Sequence, residues 1–357
     1  MIDNSQELPP LAISMGEPAG IGPDVVVMAW TRRNQANLLP FFVNGDPALY
    51  ADRAKALGLE LAIRTIDAPE DAVSVFPNAL PVIPLDQSVS GSPAEPADND
   101  PALIVQSLHR SIDQCLAGAA SGLVTAPINK AALYKDGFAF QGHTDFLAAT
   151  LRQHTGEPIH ELMMLCAPSV QPTLRVVPVT IHTALKNVAG ALNANAIVVA
   201  GTQLHDALQV DFGIKAPQIA IAGLNPHAGE QGAMGKEEIE IITPAIETLV
   251  ASGVQASGPY PADTLFHTEA RSRYDAVLCM YHDQALIPLK TLDFHGGVNV
   301  TLGLPIVRTS PDHGTAYDLA GSGNARADSM IAAIKMAVTI AHSRSATIAL
   351  SRRETHA

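Results

Sequence analysis

The stretch from Ala276 to Gly321 gathers imidazole, carboxylate, ammonium, amide and guanidinium groups at short spacing. An apolar run, Ala276-Val277-Leu278-Cys279-Met280-Tyr281, leads straight into His282-Asp283-Gln284, so a metal ligand or proton carrier stands at the exit of a buried strand. Lys290, Asn299 and Arg308 follow along a segment punctuated by glycine. Arginine offers a planar fork of donors and lysine a point charge, both suited to phosphate or carboxylate, so these residues form a candidate anion clamp. The small, polar run from Ser310 to Gly321 contains Asp312, His313, Gly314, Thr315 and Asp318, where backbone can approach a ligand closely.

His182 and His227 share the context of His282. Each follows an apolar strand-like run by at most two residues, with helical patterning between the strands. In a mostly parallel sheet such exits lie on one edge, where open α/β folds place their ligands. Three imidazoles meeting there suit one divalent cation and leave a position for water or substrate. Any one of them alone reads as a structural histidine; the repeated context argues for a shared cation. Asp263, in the proline-rich connection Pro259–Leu265, reads either as a base or as a helix cap before Leu265. His143 stands just ahead of a helix expected over 146–154, with Thr144 placed to cap it; an anion gathered at that helix start could bond to His143. Lys130, leaving the strand Leu123-Val124-Thr125, reads as a solvated helix-end lysine.

The remaining elements must hold these groups. Leu11–Met15 reads as a strand, followed by the glycine-rich turn Gly16-Glu17-Pro18-Ala19-Gly20-Ile21-Gly22 and a helix from Val25 to Trp30 with Pro23 near its start. That turn matches neither the dinucleotide nor the P-loop glycine pattern. Ser88–Pro101 is a polar surface loop. Asp100 is expected to cap a helix carrying Leu103, Ile104, Leu108 and Ile112 on one face. A long helical pattern over 236–253 is expected to break at Pro244, with Thr243 capping its second piece. An amphipathic helix over 325–342 closes the chain.

Length and composition agree. The 357 residues suffice for two domains, and 47% hydrophobic residues with few aromatics suit an α/β enzyme. A net charge of -13 argues against nucleic-acid or anionic-membrane partners. Cys115, Cys166 and Cys279 have no paired spacing and read as reduced thiols. The acidic, polar start is unlike a signal peptide, and together these features give a cytoplasmic expectation.

Taken together, Gly16–Pro23, Gly142-His143-Thr144-Asp145, Asn225-Pro226-His227-Ala228-Gly229-Glu230, Pro261–Phe266, Tyr281–Gln284 and Gly297–Pro305 resemble the 4-hydroxythreonine-4-phosphate dehydrogenase family of pyridoxal phosphate biosynthesis. The resemblance implies a fold like isopropylmalate dehydrogenase, two α/β/α domains around a central cleft. The domains are expected over 1–135 with 315–357, and over 136–314. It implies a homodimer sharing a metal (zinc, magnesium or cobalt) bound by His182, His227 and His282. His143, Thr144, Lys290, Asn299 and Arg308 would hold the phosphorylated substrate, with Asp263, Asp283 and Lys290 as catalytic candidates. The run Asp312-His313-Gly314-Thr315 with Asp318 is similar to the adenosine-side loop of decarboxylating dehydrogenases, which implies NAD or NADP. The implied reaction is oxidation of 4-phosphooxy-L-threonine to a 3-keto acid that loses carbon dioxide. Relatives of this pattern that act on phosphorylated threonate or erythronate, or on aromatic dihydrodiols, are an alternative, and a three-histidine metallohydrolase is another. One departure is a segment between His143 and His182 longer than in some members, which bears on the edge of the substrate pocket.

Overall fold

The computed structural model describes residues 8–98, 100–129 and 143–354, without the side chains of 143, 144 and 350–354. In chain order its strands are β1 (Leu11–Ser14), β2 (Phe41–Gly45), β3 (Ile63–Thr65), β4 (Leu80–Pro84), β5 (Leu123–Thr125), β6 (Leu162–Ala167), β7 (Leu174–Thr180), β8 (Gln218–Ala222), β9 (Gln255–Tyr260), β10 (Ala276–Tyr281), β11 (Val298–Leu302) and β12 (Arg308–Pro311). The chain divides into two compact units, one running to Glu161 and resuming over Leu304–Ala346, the other covering Leu162–Gly303 with the chain from Thr347.

In the first unit the strand order is β3-β4-β2-β1-β5-β12, every pairing parallel. A parallel sheet is covered on both faces, so its central strands read as unbroken apolar runs; Leu11, Ala12, Ile13, Phe41, Phe42 and Val43 are all buried. The helix Asp100–Leu116 buries Leu103, Ile104, Leu108 and Ile112 as one stripe, each contributing roughly 1.5–3 kcal/mol. Asp100 is buried and does not cap this helix. Its carboxylate accepts the amides of Ser90 (3.0 Å) and Gly91 (3.1 Å), and so fastens the polar loop that precedes it.

The compact units have other limits than the expected domains. The helix His143–Thr155 sends Phe146, Leu147 and Leu151 into the same core as Ile104 and Leu108, which carries the first unit on to Glu161 rather than 135. Leu304 and Ile306 join that core as well, so the chain re-enters the first unit at Leu304 rather than 315. The segment after His143 is fastened to it: Arg152 donates two bonds to the Ile159 carbonyl, and His154 lies against Asp113.

The second unit has the order β11-β6-β7-β10-β8-β9, antiparallel at β11–β6 and β6–β7 and parallel at the remaining pairings. Val176, Val277, Ala220, Leu165 and Leu289 meet in its core. The pattern expected to break at Pro244 divides into a π-helical turn, Glu238–Ile242, and a helix, Thr243–Ala251. Thr243 is the first residue of that helix and makes no cap; Pro244 falls in its first turn, where a missing N–H is tolerated. The closing helix is longer than expected, Asp328–Glu354.

The three cysteines are free, and burial pushes the thiols of Cys115 and Cys166 up to about 12. Among the described residues no helix is long and apolar enough to cross a membrane.

Candidate active site

The histidine-bearing exits come from three adjacent strands. β7, β10 and β8 lie side by side and parallel, with Thr180 opposite Tyr281 and Leu278 opposite Ile221, so their carboxyl ends share one edge of the sheet. Two side chains tie these ends together. The Thr180 hydroxyl donates to the Met280 carbonyl (2.8 Å). Gln284, buried, accepts the Met280 amide and donates to the Gly223 carbonyl, both at 2.7 Å. Sequence reading gave Gln284 no role, because nothing in its spacing shows that a side chain one turn into a helix reaches back to a neighbouring strand.

His182 and His282 emerge beside each other, their ring centroids 6.5 Å apart and their planes inclined at 34°. Two imidazoles on one tetrahedral cation, at metal–nitrogen distances of about 2.0–2.1 Å, place their centroids roughly 5 Å apart, so the two rings are neighbours that would have to draw closer by about 1 Å to share a metal. His282 Nδ1 pairs with Asp283 Oδ1 at 2.7 Å, which leaves Nε2 as the atom that could bind a metal. A carboxylate behind a ligating histidine fixes the tautomer and raises ligand basicity. His182 has φ 54°, a left-handed conformation that aims its side chain out of the strand.

His227 is held differently. Residues His227, Ala228, Gly229, Glu230 and Gln231 all have positive φ, a left-handed turn in which the non-glycine members cost roughly 1–2 kcal/mol each. The turn lies against the short Ala262–Thr264 turn that carries Asp263. Behind it stands Glu238, 3% exposed. Its Oε1 accepts the amides of Leu224 (2.8 Å) and Asn225 (2.7 Å), and its Oε2 accepts the Asn225 side-chain amide at 2.9 Å. The same Asn225 amide also donates to Glu237, whose carboxyl it holds below the ordinary glutamate range. Among the described residues no group of three His, Cys, Asp or Glu side chains stands where one chain alone could hold a metal ion. Within one chain, then, His182 and His282 are brought together and His227 is not joined to them as a third ligand.

A pocket of about 430 Å³ opens beside these exits, lined by Asp263, Phe266, Tyr281, Asp283, Ile287 and Pro288 among others. It is an apolar hollow with two exposed carboxylates at its wall. Asp263 is the middle residue of its turn and does not cap it; the cap position is Pro261. Lys290 is on the helix His282–Leu292 that starts at the metal-ligand candidate, with Nζ 5.5 Å from the Phe294 ring centroid. Asn299 is the second residue of β11, and its Oδ1 is buried without a hydrogen-bond partner, an unsatisfied acceptor.

The first unit holds the other candidates. Arg308 opens β12, is 3% exposed, and donates through Nε (3.2 Å) and Nη2 (2.7 Å) to the Thr125 hydroxyl. Burial lowers its guanidinium to about 10, so an anion placed beside it would meet a cation little screened by water. The side chains of His143 and Thr144 lie outside the described residues, as does Lys130.

Asp312, His313, Gly314, Thr315 and Asp318 belong to a segment laid along the glycine-rich turn after β1. The Thr315 carbonyl accepts the Ile21 amide at 2.9 Å, and a Cβ at Gly20 would lie 2.8 Å from that carbonyl, so only glycine allows the approach. Gly314 faces open space. The Asp312 amide donates to Ser329 Oγ at 3.0 Å, and His313 Nδ1 lies 3.1 Å from the Gly314 carbonyl. Glu17, 1% exposed, meets the Ala19 amide and the Tyr317 hydroxyl, yet burial outweighs both and pushes its carboxyl up. Tyr317 in turn takes a bond from Asn129 at 2.6 Å. Deeper still, Arg53 pairs with Asp24, both buried, and donates to the carbonyls of Pro18 and Gly20 at 2.8 Å, while Asp24 accepts the Gly321 amide at 2.8 Å. The backbone around Gly314 leaves room for a ligand to approach.

These features define an α/β protein with histidines and carboxylates gathered at the carboxyl ends of parallel strands, the site type of a metal-assisted enzyme of small molecules. The model of the family described as "Pyridoxal phosphate biosynthetic protein PdxA" matches residues 37–337. The 4-hydroxythreonine-4-phosphate dehydrogenase of Caulobacter vibrioides is 52% identical over 336 residues, covering 94% of this chain and 98% of its own. The crystal structure of a 4-hydroxythreonine-4-phosphate dehydrogenase from Klebsiella pneumoniae superposes with a TM-score of 0.79 at 33% identity, covering 95% of this chain and 100% of that one. A terephthalate 1,2-cis-dihydrodioldehydrogenase from Burkholderia xenovorans superposes at 0.61 and 25% identity, covering 93% and 98%. The chain belongs to the PdxA family.

Proposed function

We propose that this chain oxidises the secondary hydroxyl of 4-phosphooxy-L-threonine with NAD or NADP to the 3-keto acid, which loses carbon dioxide to give 3-amino-2-oxopropyl phosphate, a step of pyridoxal phosphate biosynthesis. The observation that carries the reading is the pairing of His182 and His282, with Asp283 behind the latter, at the exits of adjacent parallel strands in a chain of this family. When bound, the divalent metal supplies Lewis acidity to the substrate oxygen and the nicotinamide accepts the hydride.

The protein's own groups do the rest. Arg308, Lys290 and the Asn299 amide hold the phosphorylated substrate with His143 and Thr144, so that binding energy from the phosphate fixes the reacting carbon. Asp263 and Asp283 are the carboxylates that reach the pocket. Asp283 Oδ1 is already engaged with His282, so Asp263, exposed and free of any capping duty, takes the hydroxyl proton. Asp312, His313, Gly314, Thr315 and Asp318 hold the adenosine side of the cofactor. His227 completes the ligand set across a homodimer. Support for the second copy comes from apolar side chains left exposed on the second unit: Leu185, Ile287 and Phe294 are 74%, 64% and 68% exposed. Free cysteines, two of them buried, suit a cytoplasmic enzyme.

The test is purified protein offered 4-phosphooxy-L-threonine with NAD or NADP and zinc, magnesium or cobalt, followed by the absorbance of reduced cofactor. Turnover is expected, and His227→Ala should abolish it while leaving the fold. The likeness to a dihydrodiol dehydrogenase favours one second reading, the same chemistry on a dihydrodiol. Activity on that substrate alone would select it, and turnover without any nicotinamide would point to a hydrolase instead.

A further inference from the structure

We propose that Glu238 is a positioning residue for the metal site: it locks the left-handed turn 227–231 in the conformation that presents His227 as a ligand. The inference rests on the metal reading above and goes beyond it, since Glu238 touches no ligand candidate directly.

Three observations carry it. The turn is intrinsically unfavourable, with four residues other than glycine, His227, Ala228, Glu230 and Gln231, in the left-handed region, so something outside it must hold it. Glu238 is a carboxylate buried to 3% exposure whose hydrogen bonds all run to the two residues leading into the turn, Leu224 and Asn225. Asn225 then passes the constraint forward, because its carbonyl accepts the Ala228 amide (3.1 Å), the bond that closes the first left-handed step around His227.

The fit is also steric. A Cβ at Gly229 would stand 2.5 Å from Glu238 Oε2, an approach only glycine allows, and one at Gly223 would stand 3.2 Å from Oε1, so the carboxylate is closely enclosed by backbone. Glu238 opens the π-helical turn Glu238–Ile242; a π-turn shifts side-chain direction from that of a regular helix and recurs at functional sites. A buried carboxylate needs donors, and here every donor belongs to the arm that carries His227.

The experiment titrates cobalt(II) into the metal-free, full-length protein and follows its visible absorption. Glu238→Gln keeps the volume and one acceptor oxygen but turns an amide donor toward the Asn225 side-chain donor. It should weaken cobalt binding about 10–100-fold, with circular dichroism and elution size unchanged, and saturating metal should restore kcat to within a few-fold of wild type. Gly229→Ala, which crowds the carboxylate without removing it, should shift the affinity the same way. Wild-type cobalt affinity in folded Glu238→Gln overturns the proposal; should that variant not fold, wild-type affinity in Gly229→Ala overturns it equally. A weakened site that no amount of metal repairs also counts against it, because a purely structural defect behaves so. Wild-type protein that takes no cobalt overturns the metal reading itself and this inference with it, whereas tight binding by wild type and both variants removes the role of Glu238 alone.

Discussion

Removing Arg53 should loosen the turn after β1 and cost the first unit much of its stability. Arg53 and Asp24 are both buried, at 1% and 0% side-chain exposure, and Arg53 also serves the carbonyls of Pro18 and Gly20. In Arg53→Ala the Asp24 carboxylate keeps only the Gly321 amide among these partners and remains in a water-poor interior. Breaking a buried pair from one side costs about 3–5 kcal/mol. For a unit of this size that corresponds to a fall in Tm of roughly 6–20 °C, at about 2–4 °C per kcal/mol. Trp30, the single tryptophan, is buried in the helix Gly22–Thr31 of the same unit, so its fluorescence during urea unfolding reads the right event. The double replacement Arg53→Met with Asp24→Leu should recover most of the loss, because no charge is then stranded. Since Arg53 and Asp24 together fasten residues 18–24 to Gly321, KM for the nicotinamide cofactor should rise in Arg53→Ala more than kcat falls. A loss below about 1 kcal/mol, or single and double variants whose losses simply add, would refute the reasoning.

The remaining expectations are briefer. Burial raises the Glu17 carboxyl, so the folded state holds its proton more tightly than the unfolded state; its contribution to stability is complete at acid pH and fades as pH climbs through the raised value. Glu17→Gln should therefore gain stability relative to wild type as pH increases above the ordinary glutamate range, which urea midpoints across pH will show; a gap that stays constant contradicts the assignment. Arg308→Lys should raise KM for the phosphorylated substrate roughly 10–100-fold, since a point charge cannot replace a fork already oriented by Thr125, and an unchanged KM would take Arg308 out of the substrate site.

Much of this was legible in the residues and some of it could not be. The apolar runs 11–14, 41–45 and 276–281 announce parallel strands because burial on both faces erases alternation, and the histidines that follow β7, β8 and β10 are visible as repeated context. What pattern cannot show is which strands become neighbours. The adjacency of β7, β10 and β8, which sets His182 beside His282, is a property of topology. Glu238 reads from sequence as an acid favouring a helix start; only the folded chain shows it buried against the Asn225 arm. Asp100 misleads in the same manner, because a cap and a loop anchor demand the same residue type. Arg53 falls in an ordinary polar helix and gives no signal at all, its partner Asp24 being 29 residues away. The compact units are bounded elsewhere than the expected domains, and periodicity could not show it: helix 143–155 has an apolar face, but only the folded chain shows that it joins the core of Ile104 and Leu108.

The middle position of β10 has a consequence for how the chain is made. β7 and β8 each pair with β10 but precede it in the chain, so the place between them, two strand spacings or roughly 9–10 Å wide in the finished sheet, is filled by a strand made after both. Their inner edges stay open, as sites for wrong partners, until residue 281 has been synthesised. Nascent chains halted before β10 should accordingly depend on chaperones, since the histidine-bearing edge of the sheet lacks its middle strand until then.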